Sequence, residues 1–187
     1  WQIGPRIQSV ARSSLTYTSI HQAAGPHLVR LGDITGETIH LAVPDGSDRL
    51  VLIDRVDSIH PVRTFNAIGA SMAMHTSSSG KAFLSRLPDA EVRRIISKPL
   101  ERATPDTITD PDSLWSQIES ARELGYAVNI AENRADVCAV GAAIVDVAGR
   151  PVATITISLP QSRFQAERVP EWGQLVSSTA DSISKSL

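Results

Sequence analysis

Val137-Cys138-Ala139-Val140-Gly141-Ala142-Ala143-Ile144-Val145-Asp146 and Pro151-Val152-Ala153-Thr154-Ile155-Thr156-Ile157-Ser158-Leu159 are two near-continuous apolar runs rich in β-branched residues. Ala148-Gly149-Arg150 turns one into the other, so the pair reads as an antiparallel hairpin. A second hairpin lies upstream, where residues 38–43 and 50–53 are joined by Pro44-Asp45-Gly46-Ser47-Asp48. Residues 62–65 read as a shorter third strand. Tyr126-Ala127-Val128 reads as another, ahead of a polar loop over residues 129–136.

Helical spacing fills the intervals. Gly4-Pro5 opens a first helix with Ile7, Val10, Ala11 and Leu15 on one narrow stripe. A second carries Ile20, Ala24, Leu28, Leu31 and Ile34, interrupted at Gly25-Pro26 and stopped by Gly36. Further helices hold Ala82-Phe83-Leu84, then Val92, Ile95 and Ile96 after Pro88-Asp89. Another holds Leu114, Ile118 and Ala121 between Asp110-Pro111 and Gly125, and the last spans about residues 167–187. Helices, hairpin, helices, hairpin, helix is the order of an α+β fold, an antiparallel sheet covered by helices. With no repeat, linker or low-complexity tract, it is read as a single domain.

Composition narrows the function. The chain has 187 residues, 42% hydrophobic and 20% charged, with a net charge of −2. Phosphate binding needs clustered Lys and Arg, and base stacking needs aromatics, which are 4% here. The chain is therefore not expected to bind DNA by itself. No apolar segment approaches membrane-spanning length. The one cysteine, Cys138, cannot form an internal disulfide and fits a reducing cytoplasm. Cys138 reads as a core residue, not a reactive thiol.

His75-Thr76-Ser77-Ser78-Ser79-Gly80-Lys81-Ala82-Phe83 is half like a phosphate loop. It lacks the leading glycine and the hydroxyl after lysine that a nucleotide site requires. A serine-capped helix start remains, whose amides and hydroxyls suit a smaller anion such as a carboxylate. The five histidines show no metal-ligand spacing, and Ser78 and Ser79 lack a nucleophile elbow, so no catalytic residue, metal or cofactor is expected. Glu132 and Asp136 read as a solvated turn.

Six segments in order, "GPRI", "GETIHLAV", "IDRVDSIHPVR", "MHTSSSGKAFLSRLP", "GYAVNIAEN" and "AAIVDVAGRPVATITIS", resemble the effector-binding domain of IclR-type bacterial transcriptional regulators. The resemblance covers nearly the whole chain. It implies a GAF-like antiparallel sheet flanked by helices, with residues 1–20 as the end of a winged-helix region and its linker helix, and residues 21–187 as the effector domain. It also implies a bacterial cytoplasmic homodimer or tetramer that senses a small organic acid and meets operator DNA through a winged-helix domain upstream of this stretch.

The effector positions carried over are Ser77, Ser78, Ser79, Asn129, Ala139, Thr156 and Ser158. Asn129 stands where the family often has Asp, and Ala139 where it often has Cys. Known effectors of the family include glyoxylate or pyruvate, aromatic acids and sugar acids. The shorter wall at Ala139 and the uncharged Asn129 point to an acid larger than the first two. The alternative reading is a small-molecule enzyme of unknown type on a GAF-like scaffold.

Overall fold

The structure is a computed structural model that describes the backbone of residues 5–46 and 48–187, and side chains from residue 18 onward, Ser47 apart. Its elements are α1 (Pro5–Thr35), β1 (Thr38–Asp45), β2 (Arg49–Val56), β3 (Ser71–Ala73), α2 (Ser78–Leu84), α3 (Asp89–Ile96), α4 (Pro111–Leu124), β4 (Ala127–Ile130), β5 (Val137–Val145), β6 (Pro151–Pro160) and α5 (Val169–Ser184). Six strands form one sheet in the order β3-β2-β1-β6-β5-β4, every neighbouring pair antiparallel. The two hairpins are thus its two halves, joined where β1 pairs with β6, Ile39 opposite Ile157.

The β5–β6 turn is held by Asp146, whose carboxylate accepts from the amides of Ala148 and Arg150, both at 2.9 Å. Gly149 takes φ 76°, a left-handed value that glycine adopts without penalty. Alternation along the strands then sorts two faces. Ile39, Leu41, Val43, Val140, Ile144, Ile155, Ile157 and Leu159 point to one, against α1 and α5. α1 meets them with Ile20, Ala24, Leu28 and Leu31, and α5 with Trp172, Val176, Ala180 and Ile183. Each of these larger side chains contributes about 1.5–3 kcal/mol by leaving water. The second core, around Phe83, Leu84, Val92, Ile95, Ile96, Leu114 and Ile118, lies under α2, α3 and α4.

Two expectations fail. No break occurs at Gly25-Pro26; α1 is one helix of 31 residues with Pro26 inside it. Pro26 lies on the exposed side, and the carbonyl it orphans belongs to Gln22, also exposed, so water replaces the lost partner. The buried stripe runs on through Ala24 and Leu28 regardless. Residues 62–65 are not a strand: the carbonyls of Val62 and Phe65 accept from the side chains of Arg163 and Arg134, and no neighbouring strand pairs with them. The Ile7, Val10 and Leu15 stripe lies outside the described side chains.

Candidate functional site

The other sheet face, under α2, is polar and small where a covered face is ordinarily apolar. Across it run Thr38, His40 and Ala42 of β1; Thr154, Thr156 and Ser158 of β6; Ala139, Gly141 and Ala143 of β5; and Asn129 of β4. Asn129, Ala139 and Ser158 pair in one row, and Gly141, Thr156 and His40 in the next. Thr38, His40, Asn129, Thr154, Thr156 and Ser158 are all buried. Buried polar groups need partners, so where their hydrogen bonds go is an accountable question.

α2 lies on this face because two glycines let it. A Cβ on Gly141 would sit 2.8 Å from Thr156 Oγ1 and 3.2 Å from Ser78 Oγ; one on Gly80 would sit 2.0 Å from the Met74 carbonyl oxygen. The three serines then divide. Ser77 is the helix cap, its Oγ accepting from the Gly80 amide at 3.0 Å. Ser79 Oγ and Thr156 Oγ1 hydrogen-bond to each other at 2.7 Å. Ser78 Oγ is buried with no partner among the described residues, as are His40 Nε2 and Thr154 Oγ1 on the sheet beneath.

Asn129 bonds to the protein at both ends of its amide. Its Nδ2 donates to the Thr76 carbonyl, and its Oδ1 accepts from the Glu132 amide at 3.2 Å. It fastens β4 to the segment ahead of α2. Residues 58–70 strap the end of the same face. Thr38 Oγ1 donates to the Thr64 carbonyl and Thr64 Oγ1 to that of Ser158, both at 3.3 Å. Arg163 and Arg134 hold the strap by the carbonyls of Val62 and Phe65, at 2.7 and 2.8 Å. Arg55 lies over the Phe65 ring, 4.0 Å from its centre.

His40 is the site residue that the sequence reading missed. Burial, aided by the nearby Arg55 guanidinium and opposed by Asp57, pushes its pKa down to about 4, so the ring is neutral at pH 7. Its alternation with Thr38 in an otherwise apolar strand was the available signal. Lys81 and Glu132 are the second omission. Glu132 is not in a solvated turn: Lys81 Nζ, fully buried, meets its two carboxylate oxygens at 2.7 and 2.9 Å and Gln117 Oε1 at 2.6 Å. Burial lowers the lysine pKa and raises that of the glutamate, while their attraction opposes both shifts. The Lys81 cation is therefore committed to Glu132 and not offered to a ligand. Asp136 remains exposed, as expected.

A cavity of about 380 Å³ opens between α4 and β4, with Gln117, Tyr126, Val128 and Glu132 in its wall. None of the seven positions carried over from the resemblance lines it. Among the described residues, no group of three or more His, Cys, Asp or Glu could hold a metal, and no helix is long and apolar enough to cross a membrane.

The family model for the C-terminal domain of the bacterial transcriptional regulator IclR matches residues 12–185. The chain belongs to the IclR family of bacterial transcriptional regulators. The HTH-type transcriptional repressor AllR of Escherichia coli K12 is 35% identical over 188 residues, covering 100% of this chain and 69% of that protein. Thermotoga maritima IclR superposes with a TM-score of 0.86 at 31% identity, over 95% of this chain and 73% of its own. An IclR homologue from Microbacterium hydrocarbonoxydans, crystallised with 4-hydroxybenzoate, shares the fold with a TM-score of 0.81 at 24% identity, over 100% of this chain and 75% of its own. AllR carries the name of a repressor, which favours a transcriptional regulator over an enzyme on this scaffold.

Proposed function

We propose that this IclR-family domain senses a small organic acid between α2 and the polar face of the sheet. The observation that carries the reading is Ser78 Oγ, buried without a partner among the described residues, beside Gly141 and the Thr156–Ser79 pair. The carboxylate meets the serine segment, and the body of the acid lies over Ala139, Thr156 and Ser158. Ala139 offers only a methyl, so the acid is larger than glyoxylate or pyruvate, and an aromatic or longer-chain acid suits it. The 4-hydroxybenzoate held by the Microbacterium homologue supports that size class. Binding is relayed to operator DNA through a helix-turn-helix domain of the kind that AllR's name records, in a cytoplasmic homodimer or tetramer.

Calorimetric titration with pyruvate, glyoxylate and a set of benzoates tests this. A matching acid at one hundred times its dissociation constant stabilises the fold by about 2.7 kcal/mol. Ser78→Glu abolishes that gain by clash and charge repulsion. An unchanged gain in the variant, or tight binding of pyruvate or glyoxylate alone, counts against the reading.

A further inference from the structure

Two of the three unpartnered polar atoms on the site face belong to residues that the serine turn does not explain. His40 Nε2 and Thr154 Oγ1 are buried, lack a partner among the described residues and come from neighbouring strands. His40 pairs directly with Thr156, so Thr154, two residues along β6, is its diagonal neighbour at about 7–8 Å between backbones. Both side chains point to the α2 side, since Ile39, Leu41 and Ile155 between them point to the other core. Ser78 stands at Gly141, on the far side of Thr156 from His40. Two strand spacings, about 9.5 Å between backbones, therefore separate the Gly141 position under Ser78 from that of His40. Leaving such groups unpaired is costly, and nothing in their packing requires a hydroxyl or an imidazole.

We propose that His40 and Thr154 form a second polar contact point of the effector site, receiving an oxygen substituent carried at the end of the acid away from its carboxylate. The inference rests on the acid-sensing reading above and narrows it to hydroxy-carboxylic acids. Imidazole Nε2 donates in one tautomer and accepts in the other, and threonine does both, so a hydroxyl satisfies either arrangement. The separation from Ser78 explains why a two- or three-carbon acid is too short to touch both ends.

Titrating the purified chain with matched acids decides it: 4-hydroxyphenylacetate against phenylacetate, and 5-hydroxypentanoate against pentanoate. The hydroxy member of a pair that binds is expected to be at least about tenfold tighter, since the analogue without it leaves buried partners unpaired. Thr154→Val and His40→Leu each shrink that ratio towards one while leaving the deoxy acid within about threefold of its wild-type affinity. If the histidine variant fails to fold, the isosteric Thr154→Val decides alone. Equal binding of hydroxy and deoxy acids to the wild-type chain means that water serves these atoms and overturns the inference, as does a ratio that survives both substitutions. Acids that bind without preference leave the sensing reading standing. No binding by any of these four acids or by the benzoates above removes the sensing reading itself, and the inference with it.

Discussion

At the scale of residues, His40 ties stability to pH. Its folded pKa of about 4 lies below the ordinary 6.5, so the unfolded chain takes up the proton first as pH falls. The sign follows: stability is full above pH 6.5 and declines between 6.5 and 4, by about 3 kcal/mol from this group. Urea unfolding at pH 7, 5.5 and 4 is expected to show that loss in the wild type and a smaller one in His40→Gln; parallel losses would refute it. Lys81 makes a second case. Lys81→Met strands the Glu132 carboxylate in the interior and is expected to cost about 3–5 kcal/mol. Adding Glu132→Leu removes the stranded charge, so the double variant should recover part of that loss in the same measurement. A double variant weaker than the single would show that packing, not charge, governs the pair.

The elements respond differently to the same substitution. In α2, a seven-residue helix, Gly80 faces the Met74 backbone at a distance that no Cβ fits. Gly80→Ala must push the serine turn off the sheet and is expected to cost about 1–3 kcal/mol or more. In α1, Gly25 has nothing within 4 Å of where a Cβ would stand. Gly25→Ala there saves glycine's entropy cost but sets a Cβ against the ring of Pro26, which disfavours a helical residue before it, so the two effects offset and a change within about 1 kcal/mol is expected. A clear fall in thermal unfolding midpoint for the first and little change for the second check both at once. The element that sequence reading misassigned, residues 62–65, also belongs here. Strand propensity was present in Val62, Thr64 and Phe65, but arginine side chains from distant segments take the carbonyls of Val62 and Phe65 that a ladder would use.

For the whole molecule, the sheet is a partition between two cores, and the site belongs to one of them. α1 and α5 cover the apolar face, while α2 and the strap close the polar face. The strap exposes Ile59, Val62, Phe65 and Ile68, large apolar side chains that favour contact with other protein surface. The proposed homodimer or tetramer is checked by sedimentation of this chain at micromolar concentration. A species heavier than the 20.1 kDa monomer is expected, and a lone monomer would count against it.

Local chemistry is written where it acts, and that much the sequence by itself determined. The 148–150 turn, the Asp110 cap with left-handed Gly125, the two hairpins and the apolar stripes of α4 and α5 all depend on residues a few positions apart. So do the α+β class and the serine segment, legible from spacing and from family resemblance. Only the tertiary structure decided which serine is free, because Ser77 and Ser79 find partners in Gly80 and Thr156, three and 77 residues away. It alone joined Lys81 to Glu132 across 51 residues and buried His40 beside Thr156. Burial and partnership at such separations follow from how β1 and β6 meet and where α2 settles, and no local spacing encodes either.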